Sequence, residues 1–254
     1  MSKPDEGPFY VGYLATPASL KPFLAWLGTA LLIGALALGY TVAATQDDPG
    51  DGAFRFDLGR QTVTGVLVGG GYPVLRITSG NERLPAGHTL MLSGQGKNGV
   101  QGRAAPLAGQ LVTVEGVLLT RGDLDMLQLR GGEDGLRAAE GTVPTLSPPE
   151  PLGRWRVTGE LCDGKCAAGA MRPGLGLSHK ACANLCIVGG VPMVMATTAP
   201  LEGARFLLVT GPDGGAAPQA LLDRTAELVS LEGQVSRIDD LLVLHADPDT
   251  LGPP

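Results

Sequence analysis

Four cysteines and one histidine carry the chemistry this sequence offers. Cys162, Cys166, Cys182 and Cys186 form two C-x-x-x-C pairs with fifteen residues between them, and His179 lies three residues before Cys182. Three chemistries suit this set. In an oxidising compartment an even number of thiols reads first as disulfides. Nested pairing of Cys162 with Cys186 and of Cys166 with Cys182 fits a hairpin-shaped loop, each closure contributing about 3 kcal/mol in the chain-entropy account. The second chemistry is a metal site built from Cys162, Cys166, His179, Cys182 and Cys186, since thiolates with an imidazole suit tetrahedral Zn²⁺. On a helix His179, Cys182 and Cys186 share one face. Met171, Met193 and Met195 add thioethers, which favour Cu(I), although Met193 and Met195 alternate around Val194 as plain strand residues do. The third is a redox-active thiol pair, with Lys165 and Lys180 beside cysteines to lower a thiol pKa. It lacks a C-x-x-C and a βαβ pattern. The expectation is two disulfides and no cofactor, with bound zinc or copper as the alternative.

The twin C-x-x-x-C resembles that of small mitochondrial intermembrane-space chaperones, in which such pairs staple two helices. The resemblance covers the cysteines alone. Gly164, Gly169, Pro173, Gly174 and Gly176 break any first helix, whereas His179 to Cys186 is predicted helical. His88 and His245 fall at strand ends and read as surface residues. Gly189-Gly190 marks a tight turn or a close backbone approach, and no G-x-x-x-x-G-K-[ST] makes it a phosphate loop. G-x-S-x-G, H-E-x-x-H and C-x-x-C-H are absent from the sequence, so the chain is read as not an enzyme.

The elements that must position the cysteines begin with an anchor. Phe23 to Ala44 is a run of 22 residues without a charge, about 33 Å of helix and enough for a bilayer core. It is read as an uncleaved, single-pass transmembrane helix. Lys3 and Lys21 precede it and Asp47, Asp48 and Asp51 follow. The positive-inside rule then puts residues 1–22 in the cytoplasm as a tail and the remainder in the periplasm, at the inner (plasma) membrane. Six of the eleven aromatic residues, Phe9, Tyr10, Tyr13, Phe23, Trp26 and Tyr40, lie within the first 44 positions. They read as interfacial anchors, or as a docking strip for a partner.

Beyond a polar connector at 45–59 the chain is strand-like and repeats itself. Val63-Thr64-Gly65 recurs as Val157-Thr158-Gly159, and Val114-Glu115-Gly116 as Leu231-Glu232-Gly233. Gly94 precedes Glu115 by 21 positions, as Gly211 precedes Glu232. A fixed spacing of this kind signals one module used twice. The fold class is therefore all-β with short helices, and the order strand–strand–strand–helix–strand–strand is that of an OB-fold barrel. The expected domains are a first OB-like barrel at 60–130, a Pro/Gly-rich linker at 131–153, a second OB-like barrel at 154–248 and a short tail at 249–254. Only the second copy holds an insertion, the cysteine-rich stretch 162–190, in the connection after its first strand. Arg121-Gly122-Asp123 fits a hairpin turn, with Arg237-Ile238-Asp239 its counterpart.

Net charge −6 and an isoelectric point near 5.1 argue against a nucleic-acid partner, which requires a basic face. The functional expectation is a membrane-anchored periplasmic accessory or assembly subunit of a membrane complex, with an electron-transfer complex as a candidate. It would bind partners through tandem barrels and a disulfide-stapled loop. A tethered metal or haem carrier and a thiol–disulfide protein are the alternatives. Anchor plus barrel resembles the haem chaperones of cytochrome c maturation, and no histidine here matches that family's haem-binding motif.

Overall fold

The computed structural model describes residues 16–45 and 50–254. Phe9, Tyr10 and Tyr13 of the expected aromatic strip lie outside the described residues, as do Lys3, Asp47 and Asp48, which oriented the span. The chain divides into two units, Met1–Asp48 and Pro49–Pro254.

In the first unit α1 (Lys21–Thr45) is an unbroken helix of 25 residues. It contains the expected 23–44 run and is apolar and long enough to cross a membrane. The hydroxyls of Thr41 and Thr45 donate to the carbonyls of Ala37 and Thr41, 2.8 Å each, so neither adds an unpaired donor to the apolar surface.

The second unit is strand-rich and holds two rings. In the first, β2 (Arg60–Val68) pairs antiparallel with β3 (Val74–Ser79) and with β5 (Leu111–Arg121). β3 pairs with β4 (Thr89–Ser93), β4 runs parallel to β6 (Leu124–Leu129), and β6 returns to β5. Two short strands, β1 (Ala53–Phe54) and β7 (Leu136–Ala138), add to β5. In the second ring β8 (Glu150–Asp163) pairs antiparallel with β9 (Met193–Leu201) and β11 (Leu228–Ile238). β9 pairs with β10 (Ala204–Thr210), β10 runs parallel to β12 (Leu241–Gly252), and β12 pairs with β11 to close a five-stranded barrel. One turn of helix separates the third and fourth strands of each ring, α2 (Gln101–Ala104) and α4 (Gln219–Leu222).

The repeated glycines have a packing cause. A Cβ on Gly65 or Gly159 would lie 2.3 or 2.5 Å from the carbonyl oxygen of Arg76 or Ala196 across the ladder. At Gly116 and Gly233 it would lie 2.3 Å from that of Gln128 or His245. Each ring therefore needs a residue without a side chain where its first and fourth strands approach a neighbour. Arg121-Gly122-Asp123 forms the expected hairpin turn, and the equivalent turn of the second ring lies one residue later than Arg237-Ile238-Asp239: Gly122 and Asp239 occupy the same position and both take positive φ, 56° and 53°.

The rings are packed together. Leu118 and Leu119 are adjacent in β5 and both fully buried, one in the first ring's core and one in the core it shares with the second. That shared core joins Tyr72, Val74, Met91, Leu124 and Met126 to Leu161, Val194, Leu207 and Leu208, and to Ala167, Ala168, Ala183 and Ile187 of the insertion. A polar clamp flanks it. Arg76 Nε donates to Asp239 at 2.8 Å and its Nη1 to Ser147 O at 2.7 Å, while Thr89 Oγ1 donates to the same carboxylate at 2.8 Å. His88 departs from its expected surface position. It sits between Asp125 of the first ring and Asp240 of the second. Burial works against its imidazolium, and the two carboxylates outweigh that and push its pKa up to about 9. His245 is likewise half-buried, between Thr210 and Ser236.

Candidate metal centre

The cysteine-rich stretch lies between β8 and β9, in the connection after the second ring's first strand. β8 delivers Cys162 and Asp163 at its end. A single helical turn, Cys166–Ala170, follows. It crosses the connector so closely that a Cβ on Gly169 would lie 2.0 Å from the Ala53 nitrogen. The chain returns past Cys166 and reaches His179, the N-cap of α3 (Lys180–Val188). Cys182 and Cys186 stand one turn apart on α3. Beyond it, the close approach expected at Gly189-Gly190 is to the first ring. Gly99 N donates to Gly189 O at 2.8 Å, and a Cβ on Gly189 would lie 1.9 Å from Lys97 O.

This path gathers the donors. The ligand atoms of Cys166, His179 and Cys182 lie within 4.8 Å of one another, as do those of Asp163, Cys166 and Cys186. Cys166 is thus the hub. Asp163 is fully buried and organises the rest: one oxygen accepts from the Cys166 amide at 2.8 Å, and the other meets His179 Nε2 at 2.9 Å. The other ring nitrogen, Nδ1, faces the Met171 sulfur at 3.1 Å. A carboxylate fixing one nitrogen while the other is presented to a cluster of sulfurs is the outer-shell arrangement of metal-binding histidines. Cys166, Cys182, Cys186 and Met171 line a cavity of about 320 Å³, walled also by Phe54, Lys97, Gln128 and Lys165.

Two lysines hold the site against the first ring. Lys97, in the loop after β4, points its ammonium at Cys182 Sγ (2.6 Å) and Cys186 Sγ (3.8 Å). The sulfur hydrogen bond raises the Lys97 pKa. Lys165 is buried and donates to the carbonyls of Gly94 and Gly96, 2.8 and 2.7 Å, and desolvation lowers its pKa. The thiols diverge. A hydrogen bond from Cys166 holds Cys186 at about 7 despite burial, with Lys97 assisting. The same bond, then burial, pushes the Cys166 thiol up. Burial pushes Cys162 well above the ordinary thiol range.

All four cysteines are free thiols. Of the nested pairs expected, Cys162 donates to Gly174 O at 2.9 Å while Cys186 hydrogen-bonds Cys166, and Cys166 and Cys182 bring their sulfurs within 4.8 Å. Of the five expected metal ligands, Cys166, His179, Cys182 and Cys186 converge, and Cys162 reaches only Asp163 and His179. Met193 and Met195 are buried strand residues away from the cavity. Lys180, expected beside a thiol, instead binds Asp223 O and Glu227. Asp163, Lys97 and Gln128 were missed by sequence reasoning. Only Asp163 had a signal, its place next to Cys162 at a strand end. No family model, curated protein or solved structure matches the chain.

Proposed function

We propose that this protein is a membrane-tethered holder of a thiophilic metal ion, Zn²⁺ or Cu⁺, serving a membrane-protein complex as a carrier or assembly subunit. The observation that carries the reading is the convergence of Cys166, His179 and Cys182, with Cys186 beside Cys166, the three cysteines lining one cavity. The donors are soft, and the Asp163–His179 pair orients the imidazole. The apolar helix α1 supports the tether. The positive-inside rule supports a single pass with the rings in the periplasm. The ring connectivity, with third and fifth strands parallel and one helical turn before the fourth, supports two OB-like barrels at 60–130 and 154–248. The cysteine insertion then occupies one of the loops such barrels use for ligands.

The accessory-subunit reading keeps one observation of its own. Leu177, Leu185 and Val188 stand 70, 59 and 73% exposed on the insertion, an apolar face suited to a partner. The test of the metal reading is titration of the reduced full chain, in detergent and free of chelator, with Zn²⁺ and with Cu⁺. Uptake of one ion per chain, weakened at least tenfold by Cys166→Ser, is expected. No stoichiometric uptake of either ion overturns it.

A further inference from the structure

We propose that Cys182 and Cys166 form a thiol–disulfide switch on this site: a low-molecular-weight disulfide oxidises the pair, and closing the bond releases the metal. The inference rests on the metal reading above. It adds to that reading the exposure of Cys182 and the place of Lys97, and it has three grounds.

The first is reach. Cys166 and Cys182 bring their sulfurs within 4.8 Å of each other. They come from two separate segments, the turn after β8 and the helix α3. A small shift of the Cys166–Ala170 turn closes that gap to a bond, since disulfides form between side chains already facing one another. The second is access. Cys182 is the only one of the four that is not buried, and it lines the mouth of a cavity of about 320 Å³. Cys162, Cys166 and Cys186 are covered, so Cys182 is the thiol that an external reagent reaches first. The third is surroundings. The Lys97 ammonium lies 2.6 Å from the Cys182 sulfur, the electropositive, partly exposed setting that marks reactive cysteines.

The step balances as follows. The Cys182 sulfur attacks one sulfur of the reagent disulfide, so that a Cys182–S–S–R bond forms and one RS⁻ leaves. The Cys166 thiolate then attacks the Cys182 sulfur, breaking its bond to the reagent sulfur; the second RS⁻ leaves and the Cys166–Cys182 bond forms. Two protein thiolates are oxidised and one small disulfide is reduced to two thiolates, which take their protons from solvent. The product removes the hub, Cys166, and one further donor together. His179 and Cys186 remain, and the ion is released.

The same geometry gives Lys97 a second role. It belongs to the first ring, so the redox state of Cys182 is sensed across the contact between rings. With the sulfur in a disulfide, Lys97 loses its acceptor and the 94–99 loop loses a tie to α3.

The experiment uses the reduced full chain in detergent, first titrated with Zn²⁺ alone, then treated with oxidised glutathione. Expected are a mass loss of about 2 Da, a Cys166–Cys182 cross-linked peptide, and release of one zinc per disulfide formed. The Cys166→Ser chain, which lacks the resolving thiol, accumulates a stable glutathione adduct at Cys182. The Cys162→Ser chain behaves as wild type. Zinc uptake followed by oxidation that retains the ion, or that links other cysteines, overturns the switch and leaves the metal reading standing. A reduced chain that takes up neither zinc nor, in a parallel titration, Cu⁺ overturns both, and that result is seen before any oxidant is added.

Discussion

Replacing Asp239 with Asn tests whether the contact between the two rings is held by one buried ion pair. Asp239 lies in the second ring at a hairpin and takes φ 53°. Asn tolerates that region, so the substitution removes the charge without adding backbone strain. Arg76, in the first ring, has a side chain only 8% exposed, and Asp239 is 19% exposed. With the carboxylate gone, Arg76 keeps Ser147 O and a weak acceptor in the amide. Breaking a buried pair by removing one partner costs about 3–5 kcal/mol, and the residual exposure of Asp239 brings the expected loss to about 3 kcal/mol. For a unit of this size that is a fall of roughly 6–12 °C in Tm. Urea unfolding of the full chain in detergent, followed by near-UV circular dichroism, reads it. The control Asp240→Asn removes a carboxylate that is 52% exposed and should cost less than half as much. The pH dependence gives an independent check. Arg76 holds the Asp239 carboxyl below its ordinary 3.8, so its contribution is present above pH ~4 and is lost as pH falls through the depressed value. The gap between wild type and variant should be full at pH 7 and close in strong acid. A variant within about 0.5 kcal/mol of wild type at pH 7, or a gap unchanged by acid, refutes the reasoning.

Three further outcomes follow from the geometry. His88, with its pKa raised from 6.5 to about 9, contributes stability that is present below pH 6.5 and is lost as pH rises through 9. Unfolding of wild type should weaken across that window by about 2 kcal/mol, and that of His88→Gln should not. Gly189→Ala drives a Cβ to within 1.9 Å of Lys97 O and should cost about 2 kcal/mol by overpacking. Zinc affinity should fall with it, because Lys97 and α3 move apart, as isothermal titration of the variant would read. Cys162→Ser keeps a hydroxyl donor for Gly174 O and should hold zinc at wild-type stoichiometry, whereas Cys182→Ser should not.

Much of the architecture was legible because it depends on local pattern. A charge-free run of 22 residues specifies a helix long enough for a bilayer whatever surrounds it. The repeated Val-Thr-Gly and Glu-Gly pairs were visible because each glycine sits where a neighbouring strand's carbonyl leaves no room for Cβ. The crossing of Gly189-Gly190 was legible for the same reason, although its partner, the loop carrying Lys97 and Gly99, was not.

Chain proximity alone confines the thiols, His179 and Met171 to one stretch at and beyond the end of the second ring's first strand. It leaves open which of them meet. Equal spacing of the two C-x-x-x-C pairs suggested a symmetrical staple, but β8 and the turn after it send Cys162 and Cys166 in different directions. Cys162 turns toward Gly174, and Cys166 faces α3. Lys97 and Cys182 are 85 positions apart, and no periodicity links them. Their contact exists because the two rings share a hydrophobic core, which presses the first ring's 94–99 loop onto the second ring's insertion. Side-chain direction and ring-to-ring packing are properties of the folded chain, and they decided the composition of the site.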